Sequence, residues 1–244
     1  MLAKRLEVER DMKMNLRTQA LIQVAGSVTY LFCQWLLTVF TTRVLGYQEA
    51  GILTLSISVG NIFTFFQLYG GRSFQTSDVT MKYSPGDYLI TRLVTVAGGV
   101  SLCALTLFSL EYPLSTSLSI FLFTLFRGFE ALSDALYGDM QRSGRLELAG
   151  FSMILRGALI APLFAIGLSQ FHTLNAALGL IVPASAAVTI LDGVFYRRIV
   201  AWKGGTLKHM IEILRLCFPL LWASLLPSLI TAIPRMIMER HFGR

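Results

Sequence analysis

Long apolar runs separated by short polar breaks repeat seven times along the chain. The first runs from about Ala20 to Leu45 and is broken by Gly46-Tyr47-Gln48-Glu49. The second, about Ala50 to Tyr69, closes on Gly70-Gly71-Arg72, and the stretch from Ser73 to Asp87 that follows is polar and contains Pro85-Gly86. A third run, about Tyr88 to Leu110, turns at Glu111-Tyr112-Pro113. The fourth begins near Leu114 and fades by Asp139, before Gln141-Arg142-Ser143-Gly144-Arg145. The fifth extends from about Leu146 to Leu168, the sixth from about Leu174 to Phe195, and the seventh from about Ile211 to Ile233. A spanning helix needs roughly 20 mostly apolar residues, and each run meets that length. The pattern predicts an all-α, polytopic membrane bundle. It divides into a cytoplasmic segment (1–19), a six-span bundle (20–195), a basic connector (196–210) and a seventh helix with its tail (211–244).

Composition agrees with that reading. Of 244 residues 54% are apolar and only 14% charged, well below the roughly one quarter charged in soluble domains, and the apolar fraction excludes disorder. The net charge of +7 would suggest nucleic acid in a soluble chain. Here it reads as topology. Lys4, Arg5, Arg10, Lys13 and Arg17 precede the first span, and Arg72, Lys82 and Arg92 surround the second connector. Arg142 and Arg145 lie in the fourth connector, and Arg197, Arg198, Lys203 and Lys208 in the sixth. The odd-numbered connectors hold only Arg43. Basic residues collect on the cytoplasmic side, so the N-terminus and the even-numbered connectors are expected there. The first run is too long, and begins too late, for a cleaved signal peptide.

Cys33, Cys103 and Cys217 lie singly in apolar stretches, and His172, His209 and His241 are scattered. Neither set has metal-ligand spacing, so no metal or cofactor is expected. Phosphate-binding Gly-rich loops and GxSxG elbows are absent, and the connectors are too short for a catalytic domain. The chain is not expected to be an enzyme.

The informative residues are charges inside spans. Arg43, Arg72 and Asp192 fall near span ends, where an interfacial position accounts for them. Arg127 and Arg156 fall about midway, at a depth that costs roughly 2.5–3.5 kcal/mol on insertion scales. Arg127, Glu130 and Asp134 recur at i, i+3 and i+7 and therefore share a helical face, which cannot point at lipid. One reading is a buried ion network that locks spans four and five together. The other is the polar lining of a cavity that meets an anionic substrate, with Arg127 and Arg156 facing the cavity and Glu130 and Asp134 holding Arg127 in place.

Six spans separate Thr38-Val39-Phe40-Thr41-Thr42-Arg43 from Thr231-Ala232-Ile233-Pro234-Arg235, a weak internal echo. Transporters are often built of two six-span halves, and on that view span seven opens a second, truncated half. With Thr42-Arg43-Val44-Leu45-Gly46 and Gly51, Leu68-Tyr69-Gly70, and Gln141-Arg142-Ser143-Gly144-Arg145 with Glu147, the chain resembles polysaccharide flippases of the O-antigen (Wzx) type in the MATE-like MOP superfamily. The resemblance implies an N-terminal half that moves undecaprenyl-pyrophosphate-linked oligosaccharide across the bacterial inner membrane, in lipopolysaccharide or exopolysaccharide assembly. It also implies partners: the lipid-linked oligosaccharide, membrane lipid, and a C-terminal half or other assembly proteins, with no nucleic acid. The competing readings are a MATE-like cation or drug antiporter and a non-transporting subunit or truncated gene product. An isolated midspan carboxylate would favour the antiporter. A sugar polymerase would bring a long periplasmic loop, which the pattern lacks.

Overall fold

A computed structural model describes residues 15–110, 112–199 and 204–242, and every regular element among them is an α-helix. They are α1 (Leu16–Leu45), α2 (Tyr47–Leu68), α3 (Gly71–Ser77), α4 (Pro85–Ser109), α5 (Leu114–Arg142), α6 (Leu146–Phe171), α7 (Leu174–Ile199) and α8 (Leu207–Phe242). The seven long helices match the seven expected runs, with ends shifted by a few residues. The turns at Gly46 and His172 and the start of α5 after Pro113 lie at one end of the bundle. The other end carries the loop 78–84, the turn Ser143–Arg145 and the entry to α8, and is called the basic end below.

Among the described residues, six of the seven long helices are apolar enough to cross a membrane. The exception is α5, whose apolar character is interrupted by Arg127, Glu130, Asp134 and Asp139. Its position explains how it is tolerated. α5 packs against α2, α4 and α7 along its length and touches α3 and α6 as well, so the helix least suited to lipid is the one its neighbours surround.

Local sequence sets the breaks. Tyr69 (φ 48°) and Gly70 (φ 63°) are consecutive left-handed residues that end α2 and redirect the chain. The expected polar connector 73–87 is not all loop: it opens with the short helix α3, held on α5 by Gln75, whose buried Nε2 donates to the Ala135 carbonyl at 3.1 Å. α4 then starts on a capping box, in which Ser84 and Asp87 satisfy each other's backbone N–H groups and Pro85 occupies the first turn, where a missing N–H costs nothing.

Glycine governs the tightest crossing. A Cβ on Gly26 of α1 would stand 2.4 Å from the Gly150 carbonyl oxygen of α6, and one on Gly150 would stand 2.6 Å from that of Ile22. Backbones meet directly there, the packing that small residues permit between membrane helices. At the end near Gly46, an apolar core of Leu37, Leu53, Phe123, Phe126 and Phe164 joins α1, α2, α5 and α6. At the basic end Leu136, Tyr137, Met140, Ala149 and Tyr196 form a second core. The expected seventh span is the first part of a longer helix: α8 is apolar enough to span over Leu207–Leu226. It packs on α2 and α4, with Leu220 so close over Gly70 that a Cβ there would meet it at 2.5 Å.

Candidate functional site

The charges of α5 divide between two settings. Near the helix midpoint, Arg127 Nη1 donates to Glu130 Oε2 one turn on. The pair is only partly covered, with side chains 22% and 12% exposed. Arg127 Nε and Glu130 Oε1 are buried atoms that have no hydrogen-bond partner among the described residues. Buried polar atoms are normally satisfied, so this pair has unused donor and acceptor capacity on a face that is not sealed.

Asp134 lies on the same face but does not hold Arg127. Its Oδ1 accepts from Arg72 Nη1 of α3 at 2.9 Å, and its Oδ2 is 3.3 Å from Arg92 Nη2 of α4. Arg92 is almost fully buried, and its Nη1 also donates to the carbonyls of Gln67 and Leu68, the acceptors that α2 leaves free where it ends. Arg72, counted above as interfacial, reaches along α5 to Gln141 Oε1 at 3.4 Å as well. Arg127, Glu130, Asp134 and Arg72 thus form a line of partly exposed charge from midspan towards the basic end.

Arg156 is placed differently. It is 2% exposed and sits between α5, α6 and α7. Its Nη1 donates to Ser185 Oγ (2.9 Å) and its Nη2 to Ser133 Oγ (2.5 Å) and Thr189 Oγ1 (3.2 Å). Asp192, expected at an interface because it is near a span end, turns inward instead. Its carboxylate lies 3.5 Å from Arg156 Nη2 and accepts from Ser152 (2.5 Å) and Tyr137 (3.2 Å). Arg43 is exposed at the end of α1, beside the Gly46 turn.

At the basic end Arg142 links Asp78 (3.4 Å) and Asp139 (3.2 Å), and Tyr196 donates to Asp139 at 3.1 Å. Burial works against the Asp78 charge. It is outweighed by the N–H groups of Lys82 and Tyr83 and the hydroxyls of Tyr88 and Thr80, which hold the carboxyl below its usual range. Lys82 in turn pairs with Glu212 at 2.5 Å, and this contact, together with the Tyr83 hydroxyl, pushes the ammonium pKa up. Asp87 accepts from Thr206 N (2.7 Å) and lies 3.2 Å from His209 Nδ1, so the connector and α8 are fastened to α4.

Cys33, Cys103 and Cys217 are free thiols. Among the described residues no group of three His, Cys, Asp or Glu could hold a metal. Neither carboxylate on the charged face of α5 is isolated: Glu130 and Asp134 each face an arginine. What the arrangement can do chemically is bind an anion at Arg127, with Glu130 as the group an incoming anion would compete against.

Sequence reasoning missed Arg92, which stands two turns inside α4 and was counted as a connector cation. Its depth was the available signal. It also passed over the hydroxyls Ser133, Ser152, Ser185 and Thr189, which look like ordinary small residues until the helices are packed.

No protein-family profile matches the sequence. Over 224 residues, 90% of its length, the chain is 28% identical to the "Capsular polysaccharide biosynthesis protein CapF" of Staphylococcus aureus. It spans about half (55%) of that protein's length.

Proposed function

We propose that this chain forms the six-helix lobe, with the first helix of a second lobe, of a transporter that moves a lipid-linked oligosaccharide across the bacterial plasma (inner) membrane during capsular or O-antigen polysaccharide assembly. The observation that carries the reading is the Arg127–Glu130 pair: midway along α5, the helix that its spanning neighbours surround, on a partly open face, with donor and acceptor atoms left over. Ionisable groups at that depth mark substrate pathways. A guanidinium fork suits a pyrophosphate because it keeps its charge and offers parallel N–H donors. The likeness to CapF supports polysaccharide assembly as the setting. In this reading Glu130 neutralises Arg127 while the face is empty, and the substrate anion displaces it on entry. The second lobe supplies the other wall, the basic end is cytoplasmic, and the chain acts without a cofactor or covalent catalysis.

The test is surface polysaccharide in a strain lacking the gene, complemented with the full-length gene. Arg127→Ala should lower export at equal membrane level, and Arg127→Lys should recover only part, because a point charge replaces a fork. Normal export by the alanine variant would overturn the reading.

A further inference from the structure

The opposite side of α5 carries a feature that the transport reading does not use. α4 and α7 both pack on α5 but scarcely touch each other, and between them lies an open groove of about 350 Å³. Its walls are Leu89 and Leu93 of α4, Leu132 of α5, and Ile190 of α7. At 100° per residue, Leu132 points roughly half a turn away from Arg127, Glu130 and Asp134. The groove therefore opens on the outside of the bundle, away from the charged face. Its volume lies within the ~300–1,000 Å³ typical of small-molecule sites.

Gly193 forms part of the groove wall, and a Cβ built there meets nothing within 4 Å. One turn further along α7, on the same face, exposed Arg197 stands at the rim. All these residues belong to the half of the bundle nearest the basic end, and Arg198, Lys203 and Lys208 follow in sequence. An apolar slot at acyl depth, topped by a cation at headgroup depth, matches one chemistry: an anionic lipid. Basic pockets between membrane helices bind such headgroups.

We infer that the groove between α4 and α7 is a binding site for an anionic phospholipid of the surrounding bilayer, with one acyl chain lying over Gly193 and the headgroup phosphate on Arg197. The charged face that suits a pyrophosphate lies on the other side of α5, so the occupant is a bilayer lipid and not the tail of a transported substrate.

The test is native mass spectrometry of the full-length protein released from vesicles of equal parts phosphatidylglycerol and phosphatidylcholine. The wild type should retain phosphatidylglycerol. Gly193→Phe, whose Cβ enters open space in the groove, should lose the bound lipid while keeping its thermal midpoint. Should Phe prove too large to fold, Gly193→Leu fills the same space and should give the same loss. Arg197→Gln should keep a lipid but weaken the preference for phosphatidylglycerol by about fivefold, the scale of one juxtamembrane cation. Undiminished retention in a folded Gly193 variant would overturn the site, as would loss of a dimer in place of loss of lipid, since a helix of a second copy would then be the occupant. An unchanged preference in Arg197→Gln would overturn the headgroup assignment. The readout is lipid retention, so its failure leaves the transport reading standing.

Discussion

Arg156 Nη2 stands 3.5 Å from Asp192 Oδ2, on two helices that pack side by side, with both residues buried. Neither charge relies on the other alone. Three hydroxyls surround the guanidinium, and Ser152 and Tyr137 donate to the carboxylate. A buried ion pair holds when most of its remaining hydrogen bonds are filled; here α5, α6 and α7 each supply some of them, leaving Arg156 Nε without a partner among the described residues. The arrangement fixes the mutual position of three helices.

Breaking this pair from one side should cost about 3–5 kcal/mol, because an uncompensated charge stays behind. Arg156→Ala and Asp192→Ala should each unfold the protein at markedly lower temperature in detergent. The double variant Arg156→Met with Asp192→Leu should recover most of the loss. Single variants as stable as the wild type would show that the pair fixes nothing.

The contrast between Arg156 and Arg127 also marks how far the sequence can be read. Helix number, approximate ends and the anomaly of two midspan arginines follow from apolar run lengths and the cost of charge in a bilayer. Which arginine is sealed and which stays partly open does not, since that depends on hydroxyls contributed by other helices. Ser133, Ser185 and Thr189 come from two helices, and only packing brings them around one guanidinium. The same holds for Asp134: its spacing from Arg127 is right, yet Arg72 and Arg92 from neighbouring helices capture it. The α3 helix escapes a reading of the sequence because seven residues carry too little periodicity, and it is held on α5 by Gln75 and Arg72.

Gly150 and Gly98 should respond oppositely to alanine. At Gly150 the new methyl would lie 2.6 Å from a backbone oxygen of α1, so the helices must part, at about 1–3 kcal/mol for overpacking. At Gly98 nothing lies within 4 Å, so alanine should gain up to about 1 kcal/mol from helix propensity. Thermal midpoints of the two variants check the ordering.

The loop 78–84 should loosen in acid. Asp78 has a lowered native pKa, so the stability it contributes is present above the ordinary aspartate pKa of about 3.9. That contribution is lost as pH falls through the lower native value. Amide exchange in the loop should accelerate only below that ordinary pKa, and Asp78→Asn should exchange fast at neutral pH. A wild-type loop that opens between pH 5 and 7 would contradict the assignment.

Topology can be read with single cysteines in a background lacking Cys33, Cys103 and Cys217. Ser143 lies in the basic turn between α5 and α6, and exposed Thr173 lies in the turn between α6 and α7 at the opposite end. An impermeant maleimide applied to intact cells should label Thr173→Cys and spare Ser143→Cys. The reverse pattern would invert the orientation drawn from the cation asymmetry.

The two arginines on Asp134 should prove unequal. Arg72 is 28% exposed at its side chain, and without it Asp134 still neutralises Arg92. Exposed pairs contribute at most about 1 kcal/mol, so Arg72→Ala should lower the thermal midpoint only slightly. Arg92→Ala removes a buried cation and two donations to carbonyls at the end of α2. The Gln67 carbonyl keeps the Thr95 hydroxyl at 2.8 Å, but the Leu68 carbonyl, where Tyr69 and Gly70 turn the chain, loses its donor. Each unsatisfied buried group costs about 1–3 kcal/mol, so Arg92→Ala should be several-fold more damaging than Arg72→Ala. Asp134→Ala should fall on the Arg92 side of that order, because it strands the buried guanidinium while leaving its carbonyl contacts intact. Equal midpoints for the Arg72 and Arg92 variants would mean that the junction of α2 and α3 is held by packing alone.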